Sequence, residues 1–137
     1  MEKYKLFDAE QKFMNIIWDN EPINSTELSN KCFHILGWKK STTYNMIRKL
    51  SEKGFLQNNS AIVISLIKRN EIQKYESHNI IQNTFNGSLP AFLTAFLEQK
   101  KITKEEANEL RRIIEEAKND WYFFENFKYE YFCKLCI

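Results

Sequence analysis

The chain has 137 residues, a hydrophobic fraction of 43%, a charged fraction of 28% and a formal net charge of +2. This suits one ordinary domain or two small ones and excludes a disordered polyelectrolyte. The most apolar run, residues 61–67, is too short to span a bilayer. The opening MEKYKLFDAE lacks the apolar core of a signal peptide, so the expectation is a cytoplasmic protein, without membrane insertion, whose Cys32, Cys133 and Cys136 are reduced.

The charge is unevenly placed. Residues 1–70 hold 11 Lys/Arg against 7 Asp/Glu, whereas residues 71–137 hold 9 against 11. A basic front and an acidic back fit a DNA-reading domain joined to an oligomerisation domain.

In chain order, Asp8 reads as an N-cap with Gln11 three residues on, opening a first helix over about residues 8–19. Its apolar stripe is Phe13, Ile16 and Ile17, widened by Met14 and Trp18. Pro22 closes it. Asn24, Ser25 or Thr26 caps a second helix with Leu28, Cys32 and Ile35 at helical spacing, broadened by Phe33 and Leu36, and Gly37 is its natural stop. Trp38-Lys39-Lys40 forms a turn. Ser41 is expected to cap a third helix, apolar along Thr43, Met46, Ile47 and Leu50, ending at Gly54. A hairpin follows: a strand over 55–57, a turn at Asn58-Asn59-Ser60, and a second strand over 61–66 rich in β-branched residues. Two helices and a two-stranded ribbon in this order are the layout of a winged helix-turn-helix, in which one helix is free to enter the major groove.

The remainder reads as helical. Ile72, Tyr75, Asn79, Ile80 and Ile81 suggest a fourth helix over about 70–84, broken by Asn86-Gly87-Ser88. Leu89, Phe92, Leu93, Phe96 and Leu97 fall on one face of a fifth. Thr103-x-x-Glu106 is a capping box opening a sixth, where Ala107, Leu110, Ile114, Ala117 and Trp121 alternate in steps of three and four, as in a coiled-coil seam. Short helices with this much apolar surface cannot cover it alone, and a second copy is the simplest cover. The expected fold is therefore mainly α: a winged-helix domain over 1–69, a helical dimerisation domain over 70–120, and an aromatic extension over 121–137. Ile80, Leu89, Phe92, Leu93, Phe96, Leu97, Leu110, Ile114 and Trp121 are the candidate dimer contacts.

The outward face of the third helix carries Ser41, Thr42, Tyr44, Asn45, Arg48 and Lys49, preceded by Lys39 and Lys40. Asn can pair bidentately with adenine, and Arg or Lys with guanine; lysines at a helix N-terminus suit phosphate. Asn58 and Asn59, with Ser60, are candidate phosphate donors on the wing. The alternative is a solvated helix face.

Asp8-Ala9-Glu10, Trp18, Trp38, Thr42, Leu50, Lys53-Gly54-Phe55 and Phe96-x-Glu98 with Leu110 resemble the penicillinase and methicillin-resistance repressors, the BlaI/MecI/CopY type, over about residues 6–116. The resemblance implies a homodimeric winged-helix repressor of a dyad operator upstream of antibiotic-resistance (β-lactamase-type) genes. It would read double-stranded DNA through Lys39, Ser41, Thr42, Tyr44, Asn45 and Lys49. The chain departs from the pattern in several places. Lys39-Lys40 stands where Ser-Pro is usual, Lys49 where Arg is usual, and Tyr44 at a basic position. The wing is shorter and has no Lys or Arg between Phe55 and Ile67, which implies weaker phosphate contact and a shallower salt dependence. The resemblance also implies a regulatory protease acting in the dimerisation region; the matching bond is Ala95–Phe96, although helical spacing already explains Phe96 as core.

Residues 121–137 hold eight aromatics, readable as added dimer core or as a docking surface. Cys133-x-x-Cys136 can hold zinc or Cu(I), and two copies would supply four thiolates; a copper-responsive repressor is thus an alternative, and a protein-interaction module that never meets DNA is another. Cys32 reads as core, and His34 and His78 have no ligand spacing. With three glycines, no phosphate loop, no H-E-x-x-H and no spaced nucleophile–base arrangement, the chain is not expected to be an enzyme or to need a cofactor.

Overall fold

A computed structural model describes residues 4–118. Trp121, Cys133, Cys136 and the rest of the aromatic extension lie outside the described residues. The architecture is mainly α, a winged helix followed by further helices, and it divides into two compact units between Ser88 and Leu89.

In the first unit α1 (Asp8–Asn20), α2 (Ser25–Leu36) and α3 (Lys40–Glu52) enclose the core. Phe13, Met14, Ile16 and Ile17 of α1 meet Leu28 and Cys32 of α2 and Ile47 and Leu50 of α3. Trp38 stacks on Phe13 with ring centroids 5.7 Å apart, and the Trp18 indole donates to the Ile67 carbonyl at 3.0 Å. Gly37 takes the left-handed conformation at φ 69°. Its N–H and that of Trp38 return to the carbonyls of Phe33 and Cys32, a Schellman-type stop that leaves only a short connection before α3.

The ends of these helices differ from the sequence expectation by one or two residues. The N-cap of α1 is Phe7, not Asp8: Glu10, at the third helical position, accepts the Phe7 N–H at 2.9 Å. The N-cap of α3 is Lys39, not Ser41, because Lys39 is extended and its carbonyl already accepts the Thr43 N–H. For α2 the Asn24 side chain accepts the Thr26 N–H at 2.8 Å, as one of the expected caps does. The face of α2 also differs. Leu28 and Cys32 are buried, but Ile35 is 62% exposed and Phe33 60%, because the stripe that meets the core runs through Ser25, Ser29, Cys32 and Leu36.

The sheet is antiparallel in the order β1-β3-β2, with β1 (Ile23–Asn24), β2 (Leu56–Asn59) and β3 (Ile62–Ser65). The two-residue β1 was not expected from sequence; Ile23 and Asn24 pair with Val63 and Ile62. The hairpin turn sits later than expected. Asn58 and Asn59 pair with Val63 and Ile62 as strand residues, and the turn is Ser60-Ala61, with φ of 51° and 65°. Positive φ at both central positions suits the right-handed twist of a two-residue hairpin. α4 (Arg69–Thr84) belongs to the same unit. Its Ile72 is buried in the core, the Tyr75 ring lies 5.7 Å from Tyr4, and Arg69 pairs with Asp19 at 2.7 Å.

The second unit holds α5 (Leu89–Gln99) and a sixth helix, α6, described over residues 104–118. The Thr103 hydroxyl accepts the Glu106 N–H at 3.1 Å, the expected cap. No residue of α5 is buried. An open apolar groove of about 380 Å³ runs between Phe92, Leu93, Phe96 and Leu97 of α5 and Ile102 and Leu110.

Ala61 carries a Cβ in a conformation that favours glycine. Ala61→Gly should raise the unfolding free energy by about 0.5–1 kcal/mol, read from the midpoint of urea denaturation.

Candidate nucleic-acid interface

α3 is two-sided because its inner positions recur at helical spacing. Thr43, Ile47 and Leu50 are buried, so the residues between them turn outward. Lys39, Lys40, Ser41, Thr42, Asn45, Arg48 and Lys49 are all exposed. Among the described residues Lys39, Lys40 and Arg48 make no ion pair. The first amides of α3 have no intrahelical acceptors and no side-chain cap from Lys39, and with the helix dipole they point to the same end as Lys39 and Lys40.

Two members of the face are tied to the protein. Tyr44 is half-buried; its hydroxyl donates to Ser25 Oγ at 3.4 Å, pinning α3 to the start of α2, and Lys40 Nζ lies 5.9 Å from its ring. Lys49 reaches Glu10 of α1, with Nζ 3.5 Å from Oε2.

Asn58, Asn59 and Ser60 are exposed at the end of the hairpin. As consecutive strand residues, Asn58 and Asn59 project to opposite faces, so the structure does not bring the two amides together on one turn.

Glu10 is the residue that sequence reasoning missed. Its carboxylate is 1% exposed and has three partners: the Phe7 N–H at 2.9 Å, Lys53 Nζ at 3.0 Å and Lys49 Nζ at 3.5 Å. A signal was present, because Glu10 falls on the same stripe as Phe13, Met14 and Ile17, where a carboxylate must be compensated. Burial on its own raises the Glu10 pKa, but the Phe7 amide and the two lysines together hold it below the ordinary 4.5. Glu21 is treated in the same way. Burial raises it, while the Ser65 hydroxyl at 2.9 Å, Lys68 Nζ at 3.0 Å and the Ser65 amide outweigh that. This ties the end of α1 to the base of the wing. The Cys32 thiol, enclosed between α2 and α3, is pushed up by burial, which outweighs the neighbouring Thr43 hydroxyl. It is an unreactive core group.

The described residues contain no cluster of three or more His, Cys, Asp or Glu able to hold a metal ion. None of their helices is long and apolar enough to cross a membrane.

Residues 6–116 match the family model described as penicillinase repressor. The chain belongs to the penicillinase repressor family. It is 29% identical over 119 residues to the penicillinase repressor of Bacillus licheniformis, covering 84% of this chain and 93% of that protein. It is 27% identical over 115 residues to the methicillin resistance regulatory protein MecI of Staphylococcus aureus strain Mu50, covering 81% and 94%. The MecI of Mammaliicoccus sciuri is 26% identical over the same shares. The family is one of transcriptional repressors, not of enzymes.

Glu10 and Glu21 both have lowered folded-state values, so their contributions are fully present above the ordinary carboxylate range and are lost as pH falls through the folded values. Urea midpoints should therefore drop as pH falls below the ordinary value of 4.5, and a Glu10→Gln/Glu21→Gln double variant should show a shallower drop.

Proposed function

We propose that this chain is a homodimeric, sequence-specific repressor that places α3 of each copy in the major groove of a dyad operator. The observation that carries the reading is the two-sidedness of α3. A polar, cationic face stands in solvent while the opposite face anchors the helix in the core. Asn45, with Thr42 and Ser41 beside it, is the centre of base contact; Arg48 and Lys49 reach the flanking base or phosphate. Lys39 and Lys40, together with the open amides at the start of α3, grip phosphate. Asn59 or Asn58 adds an uncharged contact from the hairpin, whose lack of Lys and Arg makes the wing's share small. The relatives' names point to a resistance gene, of β-lactamase type, as the target.

Dimerisation is supported by the second unit. Leu89, Phe96, Leu97 and Ile114 are exposed, and Phe92, Leu93 and Leu110 only half-buried, in the single chain. Full burial of such a side chain is worth roughly 1.5–3 kcal/mol, and a second copy would supply about half of that or less for each, because they are already partly covered. Ile80 of α4, in the first unit, is exposed as well and is a further candidate contact. A dimer sets two reading helices at half-sites about one turn of duplex apart or a multiple of it, and linkage raises affinity for the pair. Induction by a regulatory protease at Ala95–Phe96 requires α5 to open locally, because both residues lie within its helix.

Two measurements test the proposal. Asn45→Ala should weaken binding to a duplex enriched by the wild-type chain from a random pool by about 1–3 kcal/mol and leave binding to unenriched duplex nearly unchanged. Equal binding to both duplexes by wild type would end the sequence-specific reading, and binding to neither would end the DNA reading. Leu93→Asp should turn a dimer into a monomer in sedimentation; a wild-type chain that sediments as a monomer would end the dimer reading.

A further inference from the structure

Two lysines share one buried carboxylate at the far end of α3. Lys53 Nζ sits 3.0 Å from Glu10 Oε2, and one cation is enough to neutralise one anion. Lys49 Nζ nevertheless lies 3.5 Å from the same oxygen, with 52% of its side chain exposed on the outward side of α3. The other Glu10 oxygen is held by the Phe7 amide at 2.9 Å, so the carboxylate is fixed to the start of α1. Left alone, a lysine is a point charge on a four-carbon stem that wanders among many positions and serves any phosphate equally. Tethered to a fixed buried anion, it is ordered in advance and its free positive charge is partly offset.

We infer that Glu10 is a positioning residue for DNA recognition, holding Lys49 in one place at the edge of the reading helix and limiting its attraction to phosphates of arbitrary sequence. The inference rests on the reading of α3 as the DNA-contacting helix. It adds a specificity-determining group from α1, a helix that carries none of the candidate contacts. Lys53 and the Phe7 amide do the structural part of compensating Glu10; Lys49 is the partner in excess.

The test uses the full-length chain, the duplex that wild type enriches from a random-sequence pool, and an unenriched random duplex. Binding is measured by fluorescence anisotropy over a range of salt for wild type, Glu10→Gln, Lys49→Met and the double variant. Glu10→Gln should reduce the preference for the enriched duplex about tenfold, bind the random duplex more tightly, and steepen the dependence of log K on log salt by about one ion. In the Lys49→Met background, Glu10→Gln should change neither preference nor salt slope, because the two act as one unit. A purely structural Glu10 would lower thermal stability and leave preference and slope alone. Additive effects of the two substitutions, or a wild-type preference in Glu10→Gln, would overturn the inference. So would a wild-type preference in Lys49→Met, an outcome that decides the matter even if the Glu10 variant fails to fold. A wild-type chain that enriches no duplex overturns the DNA reading and this inference with it; enrichment with an unaltered Lys49→Met overturns this inference alone.

Discussion

The first unit is organised around a negative charge that has been taken out of water. A buried carboxylate is tolerated only where donors and cations replace its hydration, and Glu10 finds them in two places at once. The Phe7 amide belongs to its own helix start, and Lys53 and Lys49 belong to the end of α3. Satisfying that charge sets the C-terminal half of α3 against α1. At the other end, the Tyr44 hydroxyl meets Ser25, and the Schellman stop at Gly37 fixes the approach from α2. Held at both ends and by Thr43, Ile47 and Leu50 between them, α3 presents its polar side as a rigid surface. A helix that reads base edges needs that rigidity, because hydrogen bonds to bases depend on the placement of each donor.

The hairpin is anchored with similar chemistry. Glu21, at the end of α1, receives the Ser65 amide and hydroxyl and Lys68, while β1 adds a third edge to the sheet. The base of the wing is thus tied to α1, and its tip at Ser60-Ala61 is left to solvent. The tip carries no Lys or Arg, whereas Lys39 and Lys40 stand exposed at the start of α3. The second unit is built on the opposite principle. Its apolar side chains are only partly covered by one another, as the open groove between α5 and α6 records. The first unit satisfies its core within one chain; the second leaves apolar side chains exposed on its surface.

Much of this was legible beforehand, and the pattern of misses is physical. The helices of the first unit, the stop at Gly37, the outward set on α3 and the cap at Thr103 all rest on spacing within about one or two helical turns, which backbone geometry enforces wherever the helix sits. The errors fall where partners are distant in sequence. Ile35 fits the helical period but loses to the Ser29–Cys32–Leu36 side, because the core lies there. Asn58 and Asn59 have turn-forming composition, yet pairing with Val63 and Ile62 keeps them in a strand, and the strained positions pass to Ser60 and Ala61. The Asp8–Gln11 and Phe7–Glu10 spacings are equivalent on paper; Glu10 is selected because a lysine 43 residues away comes within hydrogen-bonding distance of its carboxylate.

The sequence by itself determined the helical segments, their polar and apolar sides, and the family to which the chain belongs, because these are properties of local periodicity and of residue order. Tertiary structure alone decided that β1 joins the sheet, that Glu10 lies in the interior, and that Lys49 is bound to it at the edge of the exposed face of α3. Those outcomes depend on which distant groups become neighbours when the core closes, and a buried charge accepts only the neighbours that can replace its water.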